Sequence, residues 1–136
     1  MPVDPALVRA RISDVRLSVN ELLRLTSRPF SELDVDQRYS MRYNLITLVE
    51  SLVSLCTHLC MEAYGKTPTS YREAIKCVAE RLTLSCVKDL QALVGFRNLL
   101  IHRYWTVDDE RVYREILDDF KCVEEFLYAV EEAFTR

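Results

Sequence analysis

Met41-Arg42-Tyr43-Asn44-Leu45-Ile46-Thr47-Leu48-Val49-Glu50-Ser51-Leu52-Val53-Ser54-Leu55-Cys56-Thr57-His58-Leu59-Cys60 is the stretch that decides the fold. Met41, Leu45, Leu48, Leu52, Leu55 and Leu59 recur at fours and threes, the period of one helix face. Ile46, Val49, Val53, Cys56 and Cys60 widen that face beyond a single seam. So broad an apolar surface suits a central helix with several neighbours. The pattern runs from about Asp34 to Tyr64, and Gly65 then fits the left-handed cap position. A second row, Ser40, Asn44, Thr47, Ser51, Ser54 and His58, is polar but nearly uncharged. It reads either as a close helix–helix or dimer contact through small side chains, or as the wall of a groove. His58 by itself reads as a hydrogen-bonded structural histidine.

Outward from this helix the same logic repeats. Val8, Ile12, Val15, Val19 and Leu22 form one stripe of a first helix that starts near Pro5. Thr26-Ser27-Arg28-Pro29 ends it, because proline disfavours helix in the residue before it. After Lys66-Thr67-Pro68, Thr69 or Ser70 caps a short third helix with Glu73 close behind. That helix carries Ala74, Ile75, Val78 and Leu82 and ends near Thr83. A fourth helix spans about Ser85 to Arg103. A fifth, capped by Thr106 or Asp108, carries Val112, Ile116, Phe120, Val123, Leu127, Val130 and Phe134. Two glycines and four prolines in 136 residues leave few turns to make, so the elements must be few and long. The expected fold is all-α: an antiparallel bundle of four long helices and one short one, in a single domain over residues 1–136.

Charge and cysteines narrow the function. A net charge of −3 excludes the global basic field that binds nucleic acid without specificity. Any such contact must be local or must borrow charge from a second subunit. Five cysteines, at 56, 60, 77, 86 and 122, read as reduced thiols serving as small core residues. Cys56 and Cys60 lie one turn apart, but no CxxC pair exists and His58 falls on another face, so no metal site is expected. The start, Met1-Pro2-Val3-Asp4-Pro5, lacks a secretory pattern. No stretch has the roughly 18 uninterrupted apolar residues of a membrane span. The expected location is the cytoplasm.

The chemistry concentrates in Arg97-Asn98-Leu99-Leu100-Ile101-His102-Arg103-Tyr104. Leu90, Val94, Arg97, Ile101 and Tyr104 share one helical row, so Arg97 stands where an apolar residue is expected. Gln91, Gly95, Asn98 and His102 share a second. Gly95 sits inside a helix, where it costs about 1 kcal/mol relative to alanine, which points to close approach of another helix. Arg97 and His102 are separated by about 140° and 7.5 Å in an ideal helix. A long arginine can cross that angle, so both can reach one anionic ligand. Together they suit RNA cleavage: histidine is the natural base for a ribose 2′-hydroxyl, and arginine stabilises the phosphorane with a permanent charge. Asn98 can orient the imidazole or hold a phosphate oxygen. The bland alternative is an arginine paired with a carboxylate, Glu50 or Glu62, beside an exposed terminal histidine.

Arg97-Asn98-x-x-x-His102-x-Tyr104 resembles the R-x4-H-x-Y motif of HEPN-domain proteins, in particular the HepT-like toxin branch. Pro68-x-Ser70-Tyr71-Arg72-Glu73-Ala74, Gly95-Phe96, Val107-Asp108 and Cys56-Thr57-His58-Leu59 are similar to that branch too. The resemblance runs from about residue 36 to the end. It implies a helical homodimer with two motifs in a shared cleft and metal-independent cleavage of RNA, transfer or messenger. Arg97 and His102 would be the catalytic pair and Asn98 their assistant. It further implies an MNT-type nucleotidyltransferase antitoxin that silences the toxin by transferring AMP from ATP to Tyr104. Many members carry an acidic or small residue after the histidine. Arg103 here is an added cation expected to favour RNA. No cofactor is expected. Two rival readings are a non-catalytic helical module that partners a nucleotidyltransferase, and a plain bundle with zinc on Cys56 and Cys60.

Overall fold

Four of the five helices start where a short polar side chain satisfies their free N–H groups. The computed structural model describes residues 3–103 and 106–135. Helix α1 (Pro5–Thr26) is capped by Asp4, which accepts from the Ala6 and Leu7 amides. Helix α2 (Val35–Tyr64) opens with a reciprocal capping box between Asp34 and Gln37. It closes at Gly65, whose φ of 65° lets the Gly65 and Lys66 amides reach back to Met61 and Cys60 carbonyls. Helix α3 (Tyr71–Arg81) is capped by Ser70. Thr69, the other candidate, instead donates to the Glu73 carboxylate. Helix α4 (Val87–His102) has no side-chain cap. Helix α5 (Asp109–Phe134) is capped by Asp108 rather than Thr106. A 3-10 turn at Phe30–Glu32, not anticipated, separates α1 from α2. No strand occurs among the described residues.

Contacts along the helices fix their directions. Ser54 and Thr47 of α2 meet Arg11 and Ser18 of α1, so these two run antiparallel. Arg42 meets Asp109 at one end, and Tyr64 meets Phe134 at the other, so α5 runs with α2. Cys86 meets Cys122 while Arg111 lies over Phe96, so α4 runs against α5. The four long helices therefore alternate in direction. Short α3 runs alongside α2, with Tyr71 near Glu50 and Cys77 near Cys60.

Helix α2 is the core helix. Leu48, Leu52, Leu55 and Leu59 are fully buried, and α2 packs against all four other helices. By length and composition it could cross a membrane: one 18-residue window has a mean hydropathy of 1.4. Half of that window is covered by the protein itself. The polar row of α2 faces α1. Ser18 and Thr47 hydroxyls lie 2.7 Å apart, Arg11 Nε donates to Ser54 Oγ at 3.0 Å, and the Asp4 amide donates to His58 Nε2 at 3.4 Å. Asn44 turns back on its own helix, donating to the Ser40 carbonyl. The row is thus a helix–helix contact and not a groove wall beside residues 97–104.

The cysteines correct the expectation of free thiols. Cys60 of α2 is disulfide-bonded to Cys77 of α3 (Cα–Cα 6.1 Å), and Cys86 to Cys122 of α5 (6.0 Å). Cys56 remains a free thiol, buried, with its pKa pushed up by burial. Zinc on Cys56 and Cys60 is thereby overturned: one sulfur is already bonded and the other is enclosed by the core.

Among the described residues, Arg42 is the buried charged one. Its Nε and Nη2 reach the two Asp109 oxygens at 2.6 and 2.9 Å, with the side chains 10% and 14% exposed. Breaking one side of such a pair leaves a buried charge uncompensated, at about 3–5 kcal/mol. Arg42→Ala is expected to lose that much stability in urea unfolding, whereas Arg42→Met with Asp109→Leu should lose far less. Each disulfide should contribute about 3–4 kcal/mol by restricting the unfolded chain. A reductant should therefore lower the thermal midpoint by at least about 5 °C; an unchanged midpoint would show that the pairs constrain nothing.

Candidate active site

Leu90 and Val94 are buried on α4, and the row they start would next bury Arg97. Its guanidinium escapes by reaching across to α2. Arg97 Nε and Nη2 each lie 2.7 Å from Glu50 Oε1. Tyr71 of α3 donates its hydroxyl to the other Glu50 oxygen at 2.8 Å, and the Arg97 guanidinium stands 4.8 Å from the Tyr71 ring centre. Arg97 Nη1 donates to Asn98 Oδ1 at 3.0 Å. Glu50 is therefore the carboxylate that holds Arg97, and Glu62 is not. The hydrogen bond to Glu50 is the main cause that raises the Tyr71 phenol above its ordinary pKa, with partial burial and the Glu50 charge adding to it and Arg97 opposing. The Arg97 and Glu50 side chains are 19% and 41% exposed, so the pair sits at the edge of the core and solvent partly screens it.

Two hollows flank α4. One, of about 290 Å³, lies between α3 and α4 and is lined by Ser70, Tyr71, Arg72, Val94, Arg97 and Asn98. The other, of about 160 Å³, lies between α4 and α5, with Phe96, Leu99, Leu100 and Val112 as apolar walls and Arg103 and Arg111 as cations. Arg111 lies 5.5 Å over the Phe96 ring. The motif is thus divided. Arg97 and Asn98 share the first hollow, and Arg103 lines the second. His102, the last residue of α4, is exposed and lines neither. Tyr104 lies outside the described residues. Among the described residues no cluster of His, Cys, Asp and Glu is grouped to hold a metal ion.

Sequence spacing missed Tyr71 and Arg72 as site residues. Both lie some 25 positions from the arginine they accompany, beyond any helical period. The one signal was their place in the Ser70-Tyr71-Arg72-Glu73 flank.

Residues 15–130 match the protein family described as ribonuclease HepT-like. The chain belongs to the HepT-like ribonuclease family. The HepT-like match begins inside α1, well before residue 36, where the resemblance was expected to start. Among solved structures the chain is similar to one described as a toxin–antitoxin with AMP-PNP (TM-score 0.82, 16% identity, 93% of this chain and 98% of that one). It is similar to a tri-AMPylated Shewanella oneidensis HEPN toxin in complex with MNT antitoxin (0.82, 16%, 93% and 97%). It is also similar to YutE from Bacillus subtilis, a cytosolic protein of unknown function (0.76, 15%, 94% and 94%). These likenesses establish the all-helical HEPN fold. No curated protein sequence matches the chain.

A double-mutant cycle tests the Glu50 hub of this HepT-like site. Glu50→Ala and Arg97→Ala should each destabilise by about 1–3 kcal/mol, because each strands a hydrogen-bonding partner. The double variant should cost less than their sum. Strict additivity in thermal unfolding would show that the pair does not couple.

Proposed function

We propose that this protein is a metal-independent endoribonuclease toxin, acting on transfer or messenger RNA as a homodimer. The observation that carries the reading is the family match itself, which spans the whole Arg97–Tyr104 stretch. His102 withdraws the proton of a ribose 2′-hydroxyl. The 2′-oxygen attacks phosphorus, and the bond to the 5′-oxygen breaks. That oxygen leaves with a proton from a protonated imidazole. The products are a 2′,3′-cyclic phosphate and a 5′-hydroxyl. Arg97, with Asn98 beside it, stabilises the charge on the phosphorane.

Dimerisation supplies what one chain lacks. In a single chain Arg97 is already neutralised by Glu50, and His102 stands away from the Arg97 hollow. A second copy would bring another His102, Arg97 and Arg103 to the cleft. Apolar side chains exposed on the motif suit such a contact: Leu99 is 40% exposed and Ile101 43%. The partner we propose is an MNT-type nucleotidyltransferase, as in the toxin–antitoxin complexes that share this fold. AMP transfer to Tyr104 would place a bulky anion beside His102, repelling RNA phosphates and filling the cleft. The cytosolic description of the Bacillus subtilis relative supports a cytoplasmic site of action.

A second reading, a non-catalytic helical module for a nucleotidyltransferase, is favoured by one observation: the Arg97 charge is spent on Glu50. RNA digestion in EDTA separates the two. The purified dimer, free of partner, should cleave RNA and leave cyclic phosphate ends. Arg97→Ala and His102→Ala should each lower the rate by about 10²–10⁴-fold with helical circular dichroism unchanged. Undiminished cleavage by either variant would remove that residue from the catalytic pair.

A further inference from the structure

We propose that Arg72 is a second phosphate-binding residue of this site, taking the RNA phosphate next to the one that is cleaved. The proposal rests on the ribonuclease reading above and names how its substrate is held.

The argument starts from Gly95. A glycine inside α4 weakens the helix, so something must need the space. A Cβ built there would stand 3.0 Å from Arg72 Nη2. The Arg72 guanidinium therefore lies directly over the notch that Gly95 leaves in α4. The backbone beneath Arg72 is held as well, since Gln91 Nε2 donates to the Arg72 carbonyl at 3.1 Å. Gln91 and Gly95 belong to the same α4 row as Asn98. Gly95 and Gln91 of that row form the seat on which Arg72 rests.

Charge then decides what Arg72 is for. Arg97 and Arg72 line one hollow of about 290 Å³. Arg97 is ion-paired with Glu50. No carboxylate among the described residues lies within ion-pair distance of Arg72, which is exposed. On a chain of net charge −3, the cation in this hollow with its charge uncompensated is Arg72. A guanidinium fork binds phosphate through two donors at once. An RNA strand offers phosphates in series, so one can lie at Arg97 and its neighbour at Arg72.

The test uses the full chain and a fluorescent 2′-O-methyl RNA oligonucleotide, which cannot be cleaved. Arg72→Ala should weaken binding about tenfold and reduce the slope of log K against log salt by about 0.7, the loss of one phosphate contact to a single strand. Arg72→Lys should recover part of the affinity. Gly95→Ala, which keeps the arginine but fills its seat, should weaken binding by a smaller factor. On cleavable RNA the Arg72→Ala effect should fall on KM more than on kcat, the reverse of Arg97→Ala. Wild-type cleavage with binding and KM unaltered by Arg72→Ala overturns the proposal and leaves the ribonuclease reading standing. Arg72-dependent binding without any wild-type cleavage supports the phosphate contact and removes the ribonuclease reading. Absence of RNA binding by the wild type overturns the proposal. So does an Arg72→Ala variant that loses a nucleotidyltransferase partner but binds RNA normally.

Discussion

A single carboxylate, Glu50, joins three helices. One of its oxygens takes two Arg97 nitrogens from α4 and the other takes the Tyr71 hydroxyl from α3. Each of those groups sits on the border of an apolar core, where an unpaired polar group is expensive. Without Glu50, Arg97 would have to swing to solvent or be replaced by an apolar residue, as its position in the Leu90–Val94 row demands. The α3–α4 hollow exists because this network holds both walls at a fixed distance. The same contact limits what a lone chain can do, since the arginine best placed for a phosphate already has a partner. A phosphate entering beside Arg97 must compete with Glu50 or be helped by other cations. On the reading proposed above, Arg72 within the chain and the motif of a second copy would supply such help.

The helices were legible because their signals are local. Periodicity, Asp34 with Gln37, Gly65 and Ser70 each act within one or two turns, so the chain shows them without its partners. The α2 polar row was ambiguous for a physical reason. Small hydroxyl side chains suit both a close helix contact and a groove, and only the position of α1 chooses. The disulfides were illegible because bonded cysteines stand 17 and 36 residues apart on different helices, and spacing carries no distance across a fold. Around the α3–α4 hollow, Arg97 and Asn98 could be picked out along one helix, and Glu50 could be picked as one of two candidate partners, whereas His102, chosen with them, lines neither hollow. Tyr71 and Arg72 could not, because what brings them in is the packing of α3 beside α4, through Tyr71 to Glu50 and Arg72 over Gly95.

The core contains a second ion pair of a different kind. Arg42 and Asp109 meet by both oxygens, almost excluded from solvent. Asp109 is the first residue of α5, so its charge also faces the positive end of that helix. The pair ties the start of α5 to α2. The ion pair made by the motif helix itself is Arg97 with Glu50.

The apolarity of α2 also bears on how the chain is made. A helix with a hydropathy of 1.4 over 18 residues is, while uncovered, a segment that a membrane or another chain would accept. Synthesis order helps: α1 leaves the ribosome before α2 and lies antiparallel along it, through an apolar stripe and the Ser18–Thr47, Arg11–Ser54 and Asp4–His58 contacts. The α1–α2 hairpin can close before α3, α4 and α5 exist, because both of its helices lie within the first 64 residues. The polar row on α2 then serves the nascent chain as much as the finished one. It marks the face where α1 must lie, so that the remaining apolar faces stay open for the helices that arrive later.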